Sequence, residues 1–295
     1  EFVAEITGVP EHVIVELATG FATHQPSVIR IGVAIERHSG GGQAVRAISC
    51  LPALTGSWRR PGGGVLQLPI WAFPVNWGGF MRPEFIDPEP RVINVWQLGQ
   101  ALNGEMALDP PISSLFVYNA NPMVMSPEQG RIEAGLARED LFTVVSDHFM
   151  TDTARYADIV LPATTQVEQE DIMFSWGHLY ITYNNRAIDP IGEAVPNTEL
   201  IRRLAKAMDF TDPYFSRSDE ELIQDSMLWD SPMLEGINLE LLREKGYARL
   251  NLPSADDYAP HAEGNFLTPS GKCEFKASMA EGGNFVLPLF RQGYD

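Results

Sequence analysis

An α/β fold organised around a doubly wound, mostly parallel sheet with flanking helices is what this sequence predicts. Three observations lead there. Short β-branched runs alternate with helical stretches from Ser114 to Pro162. Those runs stop at small polar residues, as parallel strands do where their carboxyl ends meet a ligand. Hydrophobic residues fill 44% of 295 positions, so one large core or two ordinary ones can be buried.

Taken in order, Thr7–Thr19 is expected as a helix: Thr7 caps it, Pro10 sits in its first turn, and Val13, Ile14 and Leu17 form an apolar stripe that Gly20 ends. Val28–Ile35 reads as a buried strand. A turn from His38 to Gly42 follows. A helix is then expected from Gln43 to about Leu54, kinked or shortened by Pro52 and closed by Gly56. Arg59 to Gly64 is a basic turn running into three glycines. Gln67–Pro90, rich in Trp, Phe, Pro and Gly, reads as a long loop ordered by its aromatics, and Val92–Gly104 as a weak helix.

The pattern sharpens after Ser114. Leu115–Tyr118 is a short strand broken at Asn119–Pro122. Ser126–Gln129 has the capping-box pattern with proline at the first helical position, starting a helix that carries Ile132 and Leu136. Leu141–Val145 is the next strand, Thr151–Ala157 a short helix and Ile159–Leu161 a third strand. The chain then reads as loop as far as Pro196. Helices are expected from Asn197 to Met208, from the Ser218–Glu221 capping box to about Leu228, and over Leu239–Lys245. Phe266–Phe275 reads as two strand ends around a Thr-Pro-Ser-Gly turn.

A formal charge of −18 disfavours nucleic acid and anionic membranes, since both reward a basic face. No apolar run is long enough to span a bilayer, so no membrane insertion by this segment is expected. A bound anion stays compatible with that charge, because backbone N–H groups hold phosphate unaided. Cys50 and Cys273 stand far apart without metal-ligand spacing, and two buried free thiols are favoured over a disulfide. The chain starts at Glu1, and Phe2–Val15 already reads as the middle of a folded domain, so an internal piece of a longer protein is expected.

The residues that could carry chemistry lie at strand ends: Asn119 and Asn121, Ser146 and Asp147, Thr164 and Thr165. An ionised aspartate there can accept from a guanine edge or a ribose diol, and asparagines offer both donor and acceptor. An Asx turn at the asparagines and a helix cap at Asp147 fit the spacing equally well. The glycine runs Gly40–Gly42 and Gly62–Gly64 are not dinucleotide fingerprints, and tight turns explain them better than phosphate loops. Glu168, Glu170 and Asp171 read as a solvated acidic loop. No nucleophile–base pair or His-x-x-x-His metal motif is present, so reactivity would have to come from a bound cofactor.

At this point the residues themselves carry a resemblance. Val117-Tyr-Asn-Ala-Asn-Pro122, the Phe142–Ala154 stretch with Ser146-Asp147 inside it, Tyr156-Ala-Asp-Ile-Val-Leu-Pro-Ala163 and Val167-Glu168 together resemble the molybdopterin oxidoreductases of the dimethyl sulfoxide reductase type. Upstream, Ile31-Gly32 through Arg37-His38 and Leu51–Gly56 to Pro61–Gly64 are similar in the same order. So, downstream, are Ala187–Pro190, Gly192–Ala194 and Leu267–Lys272.

The resemblance implies a catalytic subunit that holds molybdenum or tungsten through bis-molybdopterin guanine dinucleotide. Such a subunit carries out two-electron redox or oxygen-atom transfer on a small-molecule substrate and passes electrons to a partner subunit. It implies that Asn119 and Asn121 contact one dinucleotide and that Ser146 and Asp147 hold its guanosine end. Gln169 and Asn197 match positions that touch the same cofactor, and Arg37 a cofactor-side position near the first glycine turn. Residues 1–66 would end one α/β cofactor-binding domain, 67–110 connect, 111–259 form the dinucleotide-binding domain and 260–295 start a C-terminal β-barrel. The metal ligand and a 4Fe-4S cluster are expected before Glu1, so this segment alone is expected to be inactive. The compartment, cytoplasmic or periplasmic, stays open. The competing expectation is a non-catalytic electron-transfer relative without pterin, like the large subunit of respiratory complex I.

Overall fold

The computed structural model describes residues 1–37, 40–87 and 89–275. It divides into two compact units. One comprises Glu1–Phe73, Ser175–Leu179 and the chain from Leu250, and the other Pro74–Phe174 with Tyr180–Arg249.

In the first unit, α1 (Phe2–Thr7) and α2 (Glu11–Thr23) replace the single helix expected over Thr7–Thr19. Gly8, at φ 69°, closes α1 in the left-handed conformation, so Thr7 ends a helix instead of capping one. Strand β1 (Val28–Arg30) is shorter than the run expected to Ile35, because Val33–Arg37 winds into a 3₁₀ turn that ends on exposed Arg37. Helix α3 (Gly41–Thr55) carries Pro52 inside it and still runs on to Gly56. Strand β2 (Gly64–Leu66) pairs with β1 in parallel, and the Ile31 N–H donates to the Leu66 carbonyl at 2.9 Å.

Both glycine runs turn out to be close approaches of backbone. A Cβ on Gly41 would stand 2.4 Å from the Ile35 carbonyl oxygen, and one on Gly63 would stand 2.1 Å from that of Ser57. The phosphate-loop alternative is therefore unnecessary at either turn, although His38 and Ser39 lie outside the described residues. Cys50 is buried and Cys273 half-buried, both free. Phe266–Phe275 forms turns and bends, with no strand among its residues. Its backbone folds back on itself locally, the Gly271 N–H donating to the Thr268 carbonyl at 3.0 Å.

Early in the second unit, Asn76 Oδ1 accepts the Gly79 N–H at 3.1 Å and starts α4 (Trp77–Met81) inside the expected loop. Then come α5 (Leu98–Leu102), β3 (Ser114–Tyr118), α6 (Pro122–Met125), α7 (Gln129–Leu136), β4 (Phe142–Asp147) and β5 (Ile159–Pro162). Strands β3, β4 and β5 lie in that order, all parallel, with Val117 opposite Val145 and Val145 opposite Val160. The strand order does not reverse within these three, so the reversal expected of a doubly wound sheet is not among the described strands. Two clusters cover the sheet: Val117, Val145 and Ala154, and Leu102, Met123, Ile132, Leu136 and Leu141. Each fully buried aliphatic side chain contributes roughly 1.5–3 kcal/mol.

The capping box expected at Ser126 does not form. Asn121-Pro122 opens its own turn, that turn ends at Ser126, and Glu128 at φ 59° redirects the chain into α7. The helix expected over Thr151–Ala157 is a 3₁₀ turn, Ala154–Tyr156. The stretch expected to be loop as far as Pro196 contains β6 (Asp171–Met173) and β7 (Tyr180–Asn184). The expected helices follow as α8 (Asn197–Ala207), α9 (Asp219–Asp225, with both bonds of its Ser218 box) and α10 (Leu239–Lys245). Strand β8 (Tyr247–Arg249) completes an antiparallel β6-β7-β8 sheet.

Helices α5 and α7 touch through a glycine. A Cβ on Gly135 would lie 2.5 Å from the Leu102 Cβ, whereas one on Gly130, on the same helix, would meet nothing within 4 Å. Gly135→Ala is expected to cost about 1–3 kcal/mol in urea unfolding, while Gly130→Ala stabilises by roughly 0.5–1 kcal/mol. Equal effects at the two positions would contradict the packing described.

Candidate functional site

The carboxyl end of β3 opens onto a cleft of about 530 Å³ in the second unit. Asn119, one residue past the strand, takes φ 52°, a left-handed conformation that asparagine tolerates better than most side chains. Gln169 reaches the same cleft from the turn before β6, and Asn197 from the first residue of α8. Trp77, Phe80, Tyr118, Phe174 and Tyr214 supply aromatic walls. Three amides from distant parts of the chain thus line one cleft.

Their hydrogen-bonding capacity is only partly used. Gln169 Oε1 accepts from the Thr164 hydroxyl at 2.7 Å. Asn197 Oδ1 is buried with no partner among the described residues, and Pro196 gives α8 no side-chain cap. A buried acceptor left alone costs free energy comparable to a lost hydrogen bond, which a ligand donor would restore.

Three carboxylates line the cleft, and no lysine, arginine or histidine does so among the described residues. Glu170 Oε2 accepts from the Tyr183 hydroxyl at 3.1 Å and stands 3.7 Å from Arg243 Nη2. Asp219 Oδ1 accepts from Arg202 Nη1 at 2.9 Å. Among the described residues Asp171, itself solvent-exposed, has no such cation. Its Oδ1 accepts the neighbouring Ile172 N–H at 2.8 Å, and its Oδ2 has no partner among the described residues. Desolvation raises the Asp171 pKa above the ordinary carboxylate value, the Ile172 N–H opposes that rise, and the negative Asp219 adds to it.

The other expected site residues lie elsewhere. Asn121 Oδ1 accepts from the Thr153 hydroxyl at 2.6 Å and the Thr153 N–H at 3.3 Å, while the Met123 N–H donates to Thr153 Oγ1 at 3.1 Å. It clamps the turn after β3 to the turn after β4. Asp147 Oδ1 accepts the N–H groups of His148 at 2.7 Å and Phe149 at 3.4 Å. Ser146 is buried at the end of β4, its hydroxyl without a partner among the described residues. Neither Ser146 nor Asp147 lines the cleft, and Arg37 belongs to the first unit.

The acidic loop expected to be solvated is not uniform. Glu168 is only 3% exposed and closes a capping box with Thr165, accepting from its N–H at 2.7 Å and its hydroxyl at 2.6 Å. Its other oxygen accepts the Ile191 N–H at 2.7 Å. A Thr-x-x-Glu spacing announces this box in the sequence. The Thr165 hydroxyl, then the Thr165 and Ile191 N–H groups, hold the Glu168 carboxyl below its ordinary pKa. Burial opposes them and nearby His148 assists. Glu168 thereby fixes the turn that presents Gln169. Among the described residues, no group of three or more His, Cys, Asp or Glu could hold a metal ion, and no helix is long and apolar enough to cross a membrane.

The family described as molybdopterin oxidoreductase matches residues 13–207. The chain is 41% identical to the probable oxidoreductase YoaE of Bacillus subtilis, over 98% of its own length and 42% of that protein's. It is 29% identical to the dimethyl sulfoxide reductase DmsA of Escherichia coli, over 100% of this chain and 40% of that one. Among solved structures, the acetylene hydratase of Pelobacter acetylenicus shares the fold, with a TM-score of 0.69 at 24% identity over 98% of this chain and 44% of that one. The chain thus spans less than half the length of each of these relatives.

Because the Glu168 pKa is depressed in the folded state, its contribution to stability is full above the unfolded value near 4.5 and fades as pH falls through the folded one. Glu168→Gln is expected to lower the melting temperature at pH 7, with the gap to the parent closing below about pH 4.5. A gap independent of pH from 7 to 3 would contradict the role given to the carboxylate.

Proposed function

The chain belongs to the molybdopterin oxidoreductase family. From that premise we propose that it is the cofactor-binding segment of a molybdenum or tungsten oxidoreductase, and that the cleft at the end of β3 receives part of a pterin guanine dinucleotide. The observation that carries this reading is the convergence of Asn119, Gln169 and Asn197 on one aromatic-walled cleft from three separate stretches of chain. When bound, the group supplies two-electron redox chemistry or oxygen-atom transfer.

The residues present fit a flat, polar heterocycle. The buried Asn197 Oδ1, without a partner among the described residues, leaves an acceptor to satisfy, and amides can match lactam-type edges on both their donor and acceptor sides. Five aromatic side chains in the lining suit ring faces and exclude water. Asn121 and Glu168 act at one remove. The first clamps the turn after β3 through Thr153, and the second holds the turn that bears Gln169. Asp147 and Ser146, at the adjacent β4 end, stay candidates for the nucleoside end of the same group. One similar protein, from Methanococcus maripaludis, is named the alpha subunit of an F420-dependent formate dehydrogenase, which supports an electron-transfer partner subunit here.

Purified full-length protein is expected to contain molybdenum or tungsten by elemental analysis, and to release an oxidised pterin and GMP on acid treatment. Protein with neither metal and no pterin would sink the proposal. Asp147→Ala is expected to lower cofactor content without unfolding the chain, read by the same release assay.

A further inference from the structure

The two cysteines of the chain take no part in the proposed function, yet the first unit brings them together. Cys50, on α3, is 3% exposed, and Cys273, in the stretch after Leu250, is half-buried; both are free. That stretch runs along α3 in a definite register. Arg46 Nη1 donates to the Phe275 carbonyl at 2.6 Å, and Cys273 and Phe275 share the lining of one hollow with Pro52 and Ala53 of the helix. Cys50 stands four residues beyond Arg46, about 6 Å along the helix. Cys273 stands two residues before Phe275, up to about 7 Å of extended chain. The two steps are nearly equal, so the bond at Arg46 sets Cys50 opposite Cys273, and the two side chains are hydrogen-bonded to each other. Residues 251–275 contain neither helix nor strand, so no ladder of backbone bonds anchors them.

We propose that Cys50 and Cys273 are a modification site, which a small-molecule disulfide converts to an intramolecular disulfide that staples residues 251–275 to α3. Cys273, the more exposed, reacts first. Its Sγ gives up its proton and attacks one sulfur of the reagent, whose S–S bond breaks and releases one thiol carrying that proton. Cys50 Sγ then attacks Cys273 Sγ, the mixed disulfide breaks, and a second thiol leaves with the Cys50 proton. Two protein thiols lose two electrons, and one reagent disulfide is reduced to two thiols. Burial, and then the neighbouring Cys50, push the Cys273 thiol up to about 11. Arg59, His261, Glu263 and Lys272 line the hollow beside it without offsetting burial. Closure is therefore slow at neutral pH, and the staple answers sustained oxidation instead of a brief pulse. The two positions lie far apart in sequence, and cross-links that close long loops constrain the unfolded chain most. Nothing in this chemistry depends on the proposed cofactor function.

Full-length protein is incubated with oxidised glutathione at alkaline pH, its remaining thiols are alkylated, and its peptides are mapped without reduction. The peptides holding Cys50 and Cys273 are expected to be joined, about 2 Da lighter than the two reduced peptides together, and to part on adding dithiothreitol. In Cys50→Ser, Cys273 is expected to stop as the mixed disulfide with glutathione, because the second thiol is gone. In Cys273→Ser, the buried Cys50 is expected to stay reduced. Proteolysis within residues 251–275 is expected to slow about tenfold or more in the oxidised parent and in neither variant. Separate Cys50 and Cys273 peptides in the oxidised parent, whether alkylated, joined to glutathione or paired with other cysteines, overturn the proposal. Cross-linked protein cleaved as fast as the reduced form overturns the staple. The peptide map of the parent decides the cross-link without any variant, and the melting temperatures of both variants before oxidation check that they fold.

Discussion

Parallel pairing of β3, β4 and β5 is the constraint on which the second unit depends. Parallel neighbours cannot be joined by a tight hairpin, so each strand is followed by a crossover that returns the chain to the same starting edge. Every carboxyl end therefore lands on one side, and the turns that follow are free to differ in sequence. Asn119, Asn121, Ser146 and Asp147 all owe their location to this rule. The buried Val145, central in the ladder, and the close packing of α7 on α5 keep that edge in register.

The edge is then divided between binding and support. Asn121 spends its Oδ1 on Thr153 and so fastens the turn after β3 to the turn after β4, while Asp147 spends one carboxylate oxygen, Oδ1, on the N–H groups of its own turn. Glu168 does the same for the turn after β5. Asn119, Gln169 and Asn197 are what those fastenings present to the cleft. Rigid backbone around side chains with unused capacity is how a site avoids reorganising when a ligand arrives.

Much of this was legible in the sequence, for reasons that can be named. The β-branched runs at Leu115–Tyr118, Leu141–Val145 and Ile159–Leu161 are dense enough to mark parallel strands, and the Ser218 box marks a helix start unambiguously. Strands β6, β7 and β8 left no such mark: two are three residues long, and β7 pairs with β8 across a wide sequence gap. Missing that sheet made the acidic residues around Asp171 look like open loop, although Asp171 begins β6. Asp147 stands out in the sequence as the polar residue closing a strand, and the structure adds that its Oδ1 is taken by the backbone N–H groups that follow it. Spacing locates a polar residue on an edge, whereas the hydrogen bonds around it decide whether any capacity is left over.

The β6-β7-β8 sheet has a further consequence. Its two outer strands are each three residues long, and the longer β7 is enclosed between them. An outer strand that short exposes only a few unpaired amide and carbonyl groups, too few to template the addition of another polypeptide. The sheet beside the cleft is thus self-limiting. While the chain is still emerging from synthesis and its neighbours are unfinished, this region resists edge-to-edge aggregation through brevity alone.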